Sequence, residues 1–131
     1  MGLINQVKLL ISLAQVDGTV ADREKNFIVN IAHANGLKEI EVAPLFDEHH
    51  PVIIATNLDD DEKFNYLLNL IQLMKIDDRL YKEELMFCAK IASSLGYNRE
   101  VMFELILHIS SASMAKEEIE SLKIITRKYL S

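Results

Sequence analysis

Residues 15–24 read QVDGTVADRE, and the architecture turns on whether this is half of a calcium loop or a turn between two helices. A loop of the EF-hand kind needs oxygen ligands at its first, third and fifth positions, Gly at the sixth and a bidentate Glu at the twelfth. With Gly18 set as the sixth position, Asp17 and Glu24 fit the fifth and twelfth. The first and third then fall on Leu13 and Gln15, inside an apolar stretch with helical spacing. The turn reading accounts for the same residues. Asp17 accepts backbone N–H bonds within the turn, Gly18 supplies a positive φ, and Glu24, three residues past a helix start at Ala21, reaches back to the cap N–H.

The stretch has a twin, KIDDRLYKEE at 75–84. Laid over residues 64–106 at a constant offset of 60, residues 4–46 give identities at eleven of 43 positions, among them Leu10/Leu70, Ile11/Ile71, Asp17/Asp77, Glu24/Glu84, Phe27/Phe87 and Gly36/Gly96. Unrelated segments share far fewer, so the chain carries a duplicated unit. In each copy a first helix bears an apolar stripe, Leu3, Val7, Leu10, Ile11 and Ala14 or Phe64, Leu67, Leu68, Ile71 and Met74. A connector at 17–20 or 77–80 follows. A second helix then spans about 22–35 or 82–95, with Phe27, Ile28 and Ile31, or Phe87, Cys88 and Ile91, facing inward. Gly36 and Gly96 stop these helices. Shorter third helices are expected at 40–46, where Pro44 demands a late start, and at 101–109 behind an Asn98 cap. Residues 47–59 read as a linker and 114–130 as a last helix with Ile119, Leu122, Ile125 and Tyr129 on one side. No stretch alternates with period two. The expectation is an all-α bundle of about seven helices, two tandem three-helix units (about 4–46 and 64–106) plus a C-terminal helix, in a single domain 1–131.

The chain has 131 residues, half of them hydrophobic, with only two Pro and four Gly, which sets aside disordered and fibrous classes. Its 14 basic and 20 acidic residues leave a net charge of −6, the wrong sign for nucleic acid or an anionic membrane. All of that excess lies in the first half, where residues 1–66 hold 5 basic and 11 acidic side chains against 9 of each in 67–131. The run Asp59-Asp60-Asp61-Glu62 suits a helix start. One cysteine, Cys88, precludes an internal disulfide. The apolar run at 9–14 is too short for a signal peptide or a membrane span, and Gln6 stands where myristoylation at Gly2 would want Ser or Thr. A cytoplasmic, soluble protein is expected.

The duplication keeps a metal reading open beside the turn reading. Asp17, Glu24, Asp77 and Glu84 recur at matched places, with Asp22, Asp78 and Glu83 as further oxygen donors, a set that suits a hard divalent ion such as calcium or magnesium. The other candidates are weaker. His49 and His50 lie in the linker, His33 at a helix end and His108 on a late helix without an evident acidic partner; Cys88 replaces Ile28 of the first unit and reads as core. No catalytic triad or phosphate-cradling loop stands out, so a non-enzyme is expected.

The pattern A-x-x-D-G-x-V-x-x-x-E-x-x-x-I, standing at Ala14, Asp17, Gly18, Val20, Glu24 and Ile28, resembles the TerB-like tellurite-resistance family. The resemblance spans both units. It implies a compact helical domain with a duplicated core, and cation ligands at Asp17 and Glu24 and, through the second copy, at Asp77 and Glu84. Ala21 and Tyr81 depart from the polar cap of that pattern, and Asp78 stands in place of Gly. The function this implies is a stress-related module that works by binding, either a partner protein or a divalent cation. The alternatives are a structural domain that homodimerises through the last helix, and a metal-dependent hydrolase built on Asp17, Asp77 and a histidine.

Overall fold

The computed structural model describes residues 2–16, 20–48, 58–76, 82–109 and 114–130. Within them the chain is all-helical, as expected: α1 (Gly2–Ala14), α2 (Asp22–Ala34), α3 (Glu39–Val42) running into a 3₁₀ turn (Ala43–Asp47), α4 (Asp60–Met74), α5 (Lys82–Ser94), α6 (Val101–His108) and α7 (Lys116–Arg127). No β-strand occurs among the described residues; Tyr97 and Leu130 form one isolated antiparallel bridge. The chain divides into two compact units, Met1–Ala55 and Thr56–Ser131.

In the first unit α1 packs on α2 and on the 3₁₀ turn, and α2 packs on α3. Val7, Leu10, Ile11 and Ala14 are buried as the stripe requires, but so are Leu9 and Leu13. The stripe is therefore too narrow a reading: α1 is apolar on most of its circumference, and a helix of that kind is covered on more than one side. Pro44 begins a tight turn instead of interrupting an α-helix, because its ring and missing N–H are tolerated only at a first turn. Lys25 of α2 lies over the Phe46 ring, 5.4 Å from its centroid.

In the second unit α4 packs on α5, α6 and α7, while α6 bridges α5 and α7. All five expected stripe residues of α4 are buried, together with Tyr66, Leu70 and Leu73. Each fully buried aliphatic side chain here contributes about 1.5–3 kcal/mol relative to exposure. The acidic run starts α4 with a reciprocal cap. Asp59 Oδ1 accepts from the Glu62 N–H at 2.8 Å, and Glu62 Oε1 accepts from the Asp59 N–H at 3.2 Å. Asn98 prefaces α6 as part of a turn, its Oδ1 accepting from the Glu100 N–H at 3.0 Å, and α7 is shorter at both ends than expected.

The duplication is legible bond by bond. Gly36 (φ 91°) and Gly96 (φ 95°) occupy the left-handed position after the second helices. Each closes the same pair of bonds, Leu37 N–H to Ala32 O with Gly36 N–H to His33 O, and Tyr97 N–H to Ala92 O with Gly96 N–H to Ser93 O. A second shared device ties the end of the first helix to the end of the third. Gln15 Nε2 donates to Phe46 O at 3.3 Å and Glu48 O at 3.1 Å. Its twin Lys75 donates from Nζ to Ile106 O at 2.8 Å and Ile109 O at 2.6 Å. These carbonyls lie in or just past the last turn of their helical segments, where helix geometry leaves C=O groups in need of an outside donor.

Two stability outcomes follow. Gly36→Ala and Gly96→Ala should each cost about 1 kcal/mol in urea unfolding, from the left-handed backbone alone, since an added Cβ meets nothing within 4 Å at Gly36 and only Lys63 Nζ at 4.0 Å at Gly96. Lys75→Met keeps the apolar stem and removes the donor, so it should cost about 1.5–3 kcal/mol. Lys75→Gln, the side chain found at the twin position, should recover part of that loss; equal losses for Met and Gln would refute the tie.

Candidate functional site

The candidate metal ligands separate by environment. Glu24 stands at the third position of α2, behind Ala21 in an extended conformation (φ −68°, ψ 152°). Its Oε1 accepts the Ala21 N–H at 3.1 Å, which is the half of a capping box that a non-polar cap residue allows. The same arrangement starts α3, where Glu41 Oε1 accepts the Lys38 N–H at 3.2 Å, and α7, where Glu118 Oε1 accepts the Ala115 N–H at 3.1 Å. Asp22 shares the first turn of α2 with Glu24, and Glu83 shares that of α5 with Glu84; Asp22 and Glu83 are exposed. Asp17, Asp77 and Asp78 lie outside the described residues. Among the described residues no group of three or more His, Cys, Asp or Glu gathers within reach of one ion.

Glu84 departs from its twin. It is buried, 5% exposed, whereas Glu24 is half-buried at the surface. One turn on, the Cys88 thiol is fully covered, and burial followed by the field of the Glu84 carboxylate pushes it up to about 12. A thiol held so firmly protonated is a packing group and not a nucleophile, as Ile28 at the twin position leads one to expect. Burial also raises Tyr97, to about 12, with Asp60 adding to the rise and Arg127 opposing it.

His108 corrects one expectation. An acidic partner does stand close in sequence, one turn earlier: its Nδ1 lies 2.9 Å from Glu104 O and 3.6 Å from Glu104 Oε2. Glu104 is a small hub, since Tyr129 Oη donates to its Oε1 at 3.2 Å and Lys128 Nζ approaches to 3.8 Å. The spacing of Glu104 and His108 on one helix face was the available signal. His33 is exposed near the end of α2, and its carbonyl serves the Gly36 turn. His49 and His50 lie outside the described residues. Asp61, from the acidic run, pairs with Lys123 at 3.3 Å and Arg127 at 3.9 Å, which the sequence did not reveal because the cations come from a distant helix.

A further feature belongs to α6 and α7. A surface groove of about 330 Å³ runs along one face of α7, with His108 at its other side. On α6, Phe103 (71% exposed) and Leu107 (78% exposed) stand one turn apart.

Compared with protein-family models, curated proteins and solved structures, the chain shows no significant match in any of the three. No helix among the described residues is long and apolar enough to cross a membrane.

The raised Cys88 and Tyr97 give an alkaline prediction. Each binds its proton more tightly when folded, so its contribution to stability is complete below the unfolded pKa, 9.0 for the thiol and 10.0 for the phenol, and is lost as pH climbs toward about 12. The urea midpoint should therefore fall from pH 9 upward, and less steeply in Cys88→Val. Native protein should react with DTNB only at its unfolding rate; rapid labelling at neutral pH would contradict the burial of Cys88.

Proposed function

We propose that this protein is a non-enzymatic, TerB-like, stress-related module of the cytoplasm that works by binding a partner protein. The observation that carries the reading is the pair Phe103 and Leu107, two large apolar side chains exposed one turn apart on α6. Water contact with such side chains is unfavourable, and covering them is the usual source of binding energy at a protein interface. A photo-crosslinking residue at position 107, introduced in cells, should give a discrete adduct that a crosslinker at exposed position 30 does not. Identical adducts from both positions, or none from 107, would count against the reading.

A second, cation-dependent reading is favoured by the repeated acidic residues at the two connectors. The TerB-like pattern places ligands at Asp17 and Glu24 and at Asp77 and Glu84, and Asp22 and Glu83 stand exposed in the turns that follow. Oxygen donors of this kind select calcium or magnesium. Calorimetric titration with either ion should give heat that disappears in the Asp17→Asn/Asp77→Asn double variant. Absence of heat in the parent protein removes the cation from the reading and leaves partner binding standing.

A further inference from the structure

The groove beside α7 has an apolar floor and an acidic border. Leu122 is buried at its base and Ile125, 37% exposed, stands one turn further along, with Met114 at the other end. Glu117 and Glu118 line the same face of α7, and His108 closes the side toward α6. Within α7 the positions 117, 118, 121, 122 and 125 fall three and four apart, a single stripe, and Met114 stands just before the helix. From Glu117 to Ile125 the stripe runs about 12 Å at 1.5 Å per residue, the length over which a docked helix presents anchors at i, i+3, i+4 and i+7.

The charge around the groove selects its occupant. Glu118 spends one oxygen on the Ala115 N–H but keeps its negative charge. Among the described residues no ion pair reaches Glu117 or Glu118; Lys123 and Arg127 are turned to Asp61, and Lys128 to Glu104. A second copy seated here by two-fold symmetry would bring together two linings that each hold two glutamates and no lysine or arginine, so neither copy supplies a counter-charge from the groove itself. A phosphate-bearing surface would be repelled. An apolar groove bordered by uncompensated carboxylates fits an amphipathic helix with a cationic polar face.

We propose that the α7 groove binds an amphipathic helix of the partner protein whose apolar side chains enter between His108 and Ile125 and whose lysines or arginines meet Glu117 and Glu118. This rests on the reading of the chain as a partner-binding module, and it names the chemistry of the partner. Two synthetic peptides of about 14 residues, roughly four helical turns, test it. They share leucines at i, i+3, i+4 and i+7 and carry either lysines or glutamates elsewhere.

The lysine peptide should bind in a fluorescence anisotropy titration, with amide shift changes concentrated at His108, Leu122 and Ile125, and the glutamate peptide should not. Glu117→Lys, at an exposed position outside any cap bond, should weaken the lysine peptide about tenfold, which is about 1.4 kcal/mol. Ile125→Asp, checked for folding by circular dichroism, should abolish it. Equal binding of the two peptides, no binding of either, or a Glu117→Lys variant that binds the lysine peptide unchanged would overturn the proposal. A concentration-dependent dimer that Ile125→Asp dissolves would also overturn it, assigning the face to a second copy. Crosslinking through position 107 is independent of these outcomes, so failure at the groove is distinguishable from failure of the partner-binding reading.

Discussion

Each unit is closed by a bond from the end of its first helix to the carbonyls that end its third segment. In the first unit the donor is an amide, Gln15, and in the second an ammonium, Lys75. The two helices flanking a connector form a hairpin by packing, but a short third segment has little surface of its own with which to settle. α3 has four residues and α6 eight, below the length at which an isolated helix is stable in water. Terminal carbonyls left dry and unbonded would oppose any compact placement. A donor supplied from the first helix removes that obstacle and fixes where the third segment stops. The charged donor makes the shorter bonds, as charge-assisted bonds do.

Much of this architecture was legible because it depends on local chemistry. Helix stops at Gly36 and Gly96 need only a residue that accepts positive φ, and the offset of 60 carried that information twice. The helix expected at 40–46 with a late start for Pro44 is instead a four-residue α-helix, Glu39–Val42, that gives way to a 3₁₀ turn at Ala43; the ring signalled the interruption but not this division. What escaped the sequence depends on partners distant along the chain. The burial of Leu9 and Leu13 was missed because a periodic stripe names one face and cannot reveal a second cover. Lys75 carried no local signal of its purpose, since the carbonyls it serves lie 31 and 34 residues away. Of the metal candidates, the capping of Ala21 by Glu24 was foreseeable from spacing, whereas the burial of Glu84 was not, since its twin is surface-facing.

The acidic excess takes on a different meaning once the helix starts are seen. Glu24, Glu41, Glu62 and Glu118 each accept the N–H of the residue that precedes their helix. A carboxylate there satisfies an orphan donor and complements the helix dipole together. A cation at the first connector would therefore share Glu24 with the Ala21 N–H. At the second it would have to draw on a glutamate that is already below the surface. The twin connectors are thus unequal as ligand sources, and the more accessible carboxylates after them are Asp22 and Glu83.

Where the copies agree, the shared residues explain folding; where they diverge, folding alone does not require the difference. Phe103 and Leu107 stand at the positions of Ala43 and Asp47, and His108 at that of Glu48. In the first unit these places form a 3₁₀ turn, with Ala43 and Asp47 themselves exposed and carrying no large apolar surface. In the second they form a full helix that turns two large apolar side chains to water and adjoins a groove along α7, an element with no twin in the first unit. Exposed apolar surface is a liability for solubility, and nothing in the helical tie or the glycine stops calls for it. The divergence of the second copy from the first, more than any single residue in either, is what supports the proposal of an interaction surface on α6 and α7.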